Sequence, residues 1–165
     1  MEVRDEKKLK AKLVDYVQDA HAMEINASMM LESMVKAAPD ARTKEMLRSH
    51  LEQTKEHAAR LEKILKSHDE STRGPKCKGM EGVIKEGDDM IEEDAENEVR
   101  DAGLIAAAQR VEHYEMAGYG CARTYAEMLG DRQGAQLLQT TLTEESETDK
   151  KLTKLAKSVI NVAAK

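Results

Sequence analysis

Five carboxylates stand where a helical hydrophobic pattern calls for leucine. One stripe at heptad spacing reads Leu13, Val17, Ala20, Glu24, Ala27, Leu31, Met34, and another reads Leu138, Leu142, Glu145, Asp149, Leu152, Ala156, Val159. This is the spacing of a single buried helix face. A third segment carries two neighbouring stripes, Ala102, Ile105, Gln109, Glu112, Met116 and Leu104, Ala108, Val111, Glu115, Gly118, Ala122. The remaining seam, Leu47, Leu51, Thr54, Ala58, Leu61, Leu65, has no acid of its own, but His50 and His57 lie beside it. A single such glutamate reads as a seam-edge residue whose carboxylate reaches water, and His57 alone reads as a bundle-edge histidine. The joint pattern reads differently.

The acids also share a height. Glu24 precedes Pro39 by 15 residues (39−24) and Thr54 follows it by 15 (54−39); Glu115 precedes Gly130 by 15 (130−115) and Glu145 follows it by 15 (145−130). At about 1.5 Å per residue each lies roughly 22 Å from its turn, near mid-helix. Mid-height is the same level whichever end a turn occupies, so Glu24, Glu112, Glu115, Glu145 and Asp149 should meet. Unpaired buried carboxylates cost several kcal/mol each, against a total stability of about 5–15 kcal/mol for a domain. No lysine or arginine occupies these seams at that level. Two divalent or trivalent ions would neutralise the layer, and an oxygen-rich site with a histidine or two suits iron or manganese.

The elements that must position these groups follow from sparse punctuation. Ala, Leu, Glu, Lys, Met and Gln dominate a 165-residue chain that has 2 prolines, 9 glycines and no phenylalanine or tryptophan. These are strong helix formers, and a sheet core would want β-branched and aromatic residues instead. A first helix from near Asp5 ends at Pro39; Asp40 caps a second that runs to about His68. Glu70 to Cys77 is a loop, followed by a short amphipathic helix from Gly79 to about Glu92. A third long helix spans about Glu96 to Leu129, Gly130 ends it, and a fourth runs from Asp131 to about Ala163. The expected architecture is one all-α domain over residues 1–165. Tight turns make the first and last pairs of long helices antiparallel. The middle connection, nearly thirty residues from His68 to Glu96, is long enough to return along a helix of about 45 Å. That would make the second and third long helices parallel, the single long crossover of ferritin-like bundles.

Several function classes are disfavoured. A net charge of −6 with interspersed signs, and aromatics at 2%, offer neither the basic face nor the stacking platform that nucleic acid requires. The longest wholly apolar run is Leu104 to Ala108, too short to span a membrane. The N-terminus, Met1-Glu2-Val3-Arg4-Asp5, lacks the apolar core of a signal peptide. Cys77 and Cys121 form no CxxC pair, so a reducing cytoplasm is the expected setting.

At these residues the chain resembles the YciE/YciF-type ferritin-like family of bacterial stress-associated proteins, related more distantly to rubrerythrin. The resemblance covers nearly the whole chain. It rests on Asp19-Ala20-His21-Ala22-Met23-Glu24, His50-Leu51-Glu52-Gln53-Thr54, Val99 to Gln109 running into Val111-Glu112-His113-Tyr114-Glu115, and Glu144-Glu145 with Asp149. Cys77 and Met80-Glu81-Gly82 in the short insert fit as well. The resemblance implies a dinuclear metal centre with Glu24, Glu112, Glu115 and Glu145 at ligand positions, joined by Asp149. The family commonly has an acid where this chain has Gln53, a weaker and neutral ligand, and His57 one turn later could supply the missing donor.

The sequence is compatible with four functions: redox chemistry on oxygen or peroxide at a di-iron centre, metal binding without turnover, an iron-storage cage, and a structural or interaction bundle without metal. The expected partners are metal ions and a second copy of the chain, paired through the outer residues Met29, Met30 and Met128. Tyr114, Tyr119 and Tyr125 lie near the level of the site, as electron-transfer groups or as core packing.

Overall fold

The computed structural model describes residues 3–163. Met1 and Glu2, which begin the charged N-terminal stretch noted above, and Ala164 and Lys165 lie outside the described residues. The chain forms α1 (Val3–Ala37), α2 (Ala41–Ser67), α3 (Lys78–Glu92), α4 (Asn97–Leu129) and α5 (Arg132–Leu155). The helical path continues through a π turn, Ala156–Ile160, to Asn161–Ala163.

The punctuation works as its chemistry requires. Asp40 caps α2 by accepting from the Arg42 and Thr43 backbone N–H groups at 2.7 and 3.3 Å. Asp131 caps α5 by accepting from Gly134 N–H at 2.8 Å. Gly130 ends α4 with φ 79°, a left-handed conformation that a side chain would strain.

Three sets of contacts give the topology. His68 meets Asp131 at 2.9 Å and Lys10 donates to the His68 carbonyl at 2.9 Å, so the start of α1, the end of α2 and the start of α5 share one end. The Asp40 N–H donates to Asp101 at 3.0 Å, placing the α1–α2 turn beside the start of α4 at the other end. Between them Tyr119 of α4 reaches Glu24 of α1, and Gln53 of α2 accepts from Thr148 of α5 at 3.0 Å. Helices α2 and α4 therefore run parallel, as the long crossover requires, and this is an all-helical bundle with ferritin-like connectivity.

α3 lies across α1 and α4, and bare glycine surfaces let it sit close. A Cβ on Gly79 would fall 2.1 Å from the Tyr114 hydroxyl, and one on Gly87 2.6 Å from Met30 Sδ. This corrects the expected pairing surface. Met30 is not an outer residue but is buried beneath α3, whereas Met29 and Met128 are exposed. Glu24 and Tyr119 are level, and Met29 and Met128 lie five and nine residues from them in opposite directions, so about 20 Å separates them along the bundle. They do not form one patch.

Apolar layers fill both ends of the core. One holds Leu13, Val17, Leu61, Leu65, Ala126 and Leu138, and the other Leu31, Met34, Leu47, Leu104, Ile105 and Leu152, all buried. Both cysteines are free. Among the described residues no helix is long and apolar enough to cross a membrane.

Candidate metal centre

Between the two apolar ends lies a polar layer shut off from solvent. Glu24, Glu112, Glu115 and Glu145 are each 0% exposed, and His50 and His57 are within 2% of that. Each reaches the interior for a local reason. Ala20 and Ala27, one turn to either side of Glu24, are small and buried, leaving room for its carboxylate. On α2 the buried face is wider than the heptad column, running Thr43, Leu47, His50, Leu51, Thr54, His57, Ala58, Leu61. His50 and His57, two turns apart, therefore point inward on either side of Thr54.

Two groups of ligand atoms converge. Glu24, His57 and Glu145 form one, and His50, Glu112 and Glu145 the other, with the ligand atoms of each within 4.8 Å of one another. Glu145 serves both: its Oε1 is 2.8 Å from His57 Nδ1, and its Oε2 is 3.7 Å from His50 Nε2. His50 Nδ1 stands 3.0 Å from Glu112 Oε1, and His57 Nδ1 3.7 Å from Glu24 Oε1. Glu115 belongs to neither group.

These contacts are close but badly aimed. Ten buried atoms on the six side chains have no hydrogen-bond partner: Glu24 Oε2, both nitrogens of His50, His57 Nδ1, and both oxygens of Glu112, Glu115 and Glu145. Native interiors leave only a few such atoms per hundred residues. Here they share one layer, which is the arrangement of groups directed at a common centre rather than at each other. The donor set, four carboxylates and two imidazoles without a thiolate, fits iron or manganese.

The electrostatics show the cost of the layer. Burial, reinforced by Glu145, pushes Glu112 up to about 10. Burial likewise raises Glu24 and carries Glu115 well above the usual carboxylate range, with Glu24, Glu145 and Glu112 adding repulsion. Burial would also raise Glu145, but the His50 and His57 rings outweigh it and hold that carboxyl at about 2. Burial opposes charge on His57, yet Glu145 and Glu24 push it up to about 10. The layer thus keeps protons where ligands would need to lose them.

A surrounding shell orients the inner groups. The Tyr119 hydroxyl, fully buried, donates a short hydrogen bond to Glu24 Oε1, and its ring meets His57 edge-on at a centroid distance of 6.4 Å. His57 Nε2–H donates to Glu144 Oε2 at 2.9 Å. Gln53 lies outside the two groups, where its Oε1 accepts from the Thr148 hydroxyl. Asp149 also lies outside them: Thr148 takes the inward position on α5, and Asp149 Oδ1 accepts from Gln109 Nε2 at 2.9 Å and His113 Nε2 at 3.1 Å. Sequence reasoning left His50 beside the seam and gave Tyr119 no defined part. The sequence signal for His50 was its seven-residue spacing from His57, two turns along one face. For Tyr119 the signal was the same spacing: it stands seven residues after Glu112, at the next position of the Ala102 to Met116 stripe.

Tyr114 is half-exposed at the α3–α4 contact, 3.7 Å from Cys77 Sγ. Tyr125 stacks on Tyr16 with centroids 5.4 Å apart. Neither is hydrogen-bonded to the acids or histidines of the polar layer.

Comparison with known proteins agrees with this arrangement of helices. The chain is 40% identical over 152 residues to Protein YciF of Escherichia coli strain K12, covering 92% of each. Its fold superimposes on the crystal structure of the E. coli stress protein YciF with a TM-score of 0.88 at 39% identity, covering 93% of this chain and 97% of that one. YcfI of Rhodopseudomonas palustris, a candidate structural protein, matches with a TM-score of 0.84 at 33% identity, covering 93% and 98%. A protein of Xanthomonas campestris pv. campestris shares the fold at 21% identity and a TM-score of 0.76, covering 93% and 95%. Residues 8–165 match the family described as Domain of unknown function (DUF892), and the chain belongs to that family, a YciE/YciF-type helical bundle.

Proposed function

We propose that this chain is a ferritin-like metal-binding protein whose mid-bundle layer holds two ions of iron or manganese. Glu24, His57 and Glu145 would hold one ion, and His50, Glu112 and Glu145 would hold the other. Glu115, whose two oxygens have no partner, completes the oxygen set. The observation that carries this reading is the concentration of ten unpartnered donor atoms in one sealed layer. A structural bundle would gain nothing from it, because well-packed hydrophobic residues in place of buried charges are neutral or stabilising by about 1–4 kcal/mol.

When bound, such ions supply Lewis acidity and one-electron chemistry towards oxygen or peroxide. The protein's part is to hold and to exclude. Tyr119 fixes the orientation of Glu24, the apolar ends keep bulk water away, and Asp149 and Gln53 brace the outer side of the layer through Gln109, His113 and Thr148. The stress association printed for YciF comes to this chain as part of the same proposal, with a cytoplasmic setting.

Metal analysis of protein reconstituted with ferrous iron or manganese tests the reading. One or two ions per chain are expected, and Glu115→Ala should reduce the number with helicity retained. Less than about a tenth of an ion per chain, for a site whose folded ligands should bind far more tightly than an unfolded chain, would sink it in favour of the structural bundle. Faster consumption of oxygen or peroxide by the ferrous protein than by free iron would extend it to catalysis, and equal rates would confine it to binding.

A further inference from the structure

The two ligand groups share Glu145 but differ in what stands behind their histidines. His57 is backed by a chain of charged partners. Its Nε2–H donates to Glu144 Oε2 at 2.9 Å. The Arg60 guanidinium holds Glu144 from two nitrogens at 2.5 and 3.0 Å, and also donates to Thr141 Oγ1 at 3.2 Å. Such a fork fixes both the plane and the direction of a carboxylate. An ionised carboxylate only accepts hydrogen bonds, so Nε2 must carry the hydrogen. In the neutral ring Nδ1 is then the bare nitrogen, and Nδ1 is the atom facing Glu24 and Glu145.

His50 has no such support. Nδ1 faces Glu112 and Nε2 faces Glu145, and neither nitrogen has a hydrogen-bond partner. Both ring nitrogens thus turn toward donors of the layer, and no group outside it sets the tautomer. To ligate, this ring must adopt one tautomer and one orientation at the moment of binding, whereas His57 is already oriented and, on losing the Nδ1 proton, keeps the Nε2–H tautomer that Glu144 fixes.

We propose that Arg60 and Glu144 make the two metal positions unequal, so that the one at Glu24, His57 and Glu145 fills first and the one at His50, Glu112 and Glu145 fills second and more weakly. This order rests on the metal-binding reading above. Arg60 and Glu144 act as positioning residues, through His57. Outer partners of this kind change metal affinity by about 10–100-fold when removed, and the polar layer offers His57 no replacement for Glu144.

The test is a titration of the metal-stripped full-length chain with manganese(II), following free ion by its paramagnetic signal. The wild type should bind two ions with separable affinities. Glu144→Gln should weaken the first by about 10–100-fold so that the two events approach one another. Arg60→Lys keeps the charge but cannot fork, and should shift the first event in the same direction by less. Glu62→Gln removes the charge beside His21 on the outer face and should change neither event. With one equivalent of zinc, nitrogen NMR should show His57 as the Nε2–H tautomer in the wild type and a mixture in Glu144→Gln. If Glu144→Gln loses helicity, Arg60→Lys decides. Two ions of indistinguishable affinity in the wild type, or an unchanged first affinity and tautomer in the variants, would overturn the inference and leave metal binding standing. A wild type that takes no ion overturns both.

Discussion

The ends of the bundle and its middle are built on opposite terms. At the ends, Leu61, Leu65 and Leu138 on one side and Leu31, Leu47 and Leu152 on the other are buried among apolar neighbours, and each such side chain contributes about 1.5–3 kcal/mol by leaving water. In the middle, Glu24, Glu112, Glu115 and Glu145 are as deeply buried but leave seven carboxylate oxygens without partners, a burden in the absence of cations. The same degree of burial stabilises in one region and costs stability in the other, which is the usual mark of a site retained for function.

Truncation at the ends should have the largest effect. Leu61→Ala and Leu31→Ala are expected to lower stability by about 2–5 kcal/mol, with or without metal, in urea denaturation. Truncation in the middle should have the opposite sign. Glu115→Leu is expected to raise metal-free stability by about 1–4 kcal/mol while lowering metal stoichiometry. If Glu115→Leu destabilises as much as Leu61→Ala, the middle is an ordinary part of the core and the contrast fails.

A smaller effect should separate the regions by pH. Glu24, Glu112 and Glu115 have folded values raised by burial, Glu112 to about 10. Their contribution is complete below the unfolded value near 4.5 and is lost as pH rises through the folded one. His57, raised to about 10, adds a loss that begins only above about 6.5. Glu145, held at about 2, contributes above about 4.5 and loses that contribution only on acidification below it. Metal-free protein should therefore weaken by roughly 1–3 kcal/mol from pH 5 to 7. Saturating metal should cancel the slope by binding the deprotonated ligands. A flat or rising metal-free curve would mean the acids share no buried layer.

The smallest effect is expected where the layer meets solvent. Asp149→Asn should leave metal stoichiometry unchanged and cost about 0.5–1.5 kcal/mol, the scale of its bonds to Gln109 and His113. Loss of an ion in this variant would move Asp149 into the ligand set.

Much of this contrast was legible in the sequence. Counting 15 residues from Pro39 and from Gly130 placed Glu24, Thr54, Glu115 and Glu145 at one level, because helical rise is constant and turns set a common origin. The stripe on α5 was less secure. A strict seven-residue repeat drifts by about 20° per heptad on a straight helix, so whether Thr148 or Asp149 follows Glu145 inward is a question of phase, and the structure turns Thr148 in. His50 was missed for the same reason, since the buried face of α2 is broader than one heptad column. Met30 was misplaced because α1 carries a second apolar column, Tyr16, Met23, Met30 and Ala37, whose seven-residue spacing does not say which helix covers it.

By itself the sequence determined the helices, their ends and the height of each acid, because capping, glycine and proline geometry and helical rise act within a few residues. Only tertiary structure decided which atoms face one another: that Glu145 is shared, that Tyr119 reaches Glu24, that Arg60 and Glu144 stand behind His57 while nothing stands behind His50. Those relations depend on how four helices are rotated and spaced around a common axis, and rotation is set by the packing of whole faces rather than by any local signal.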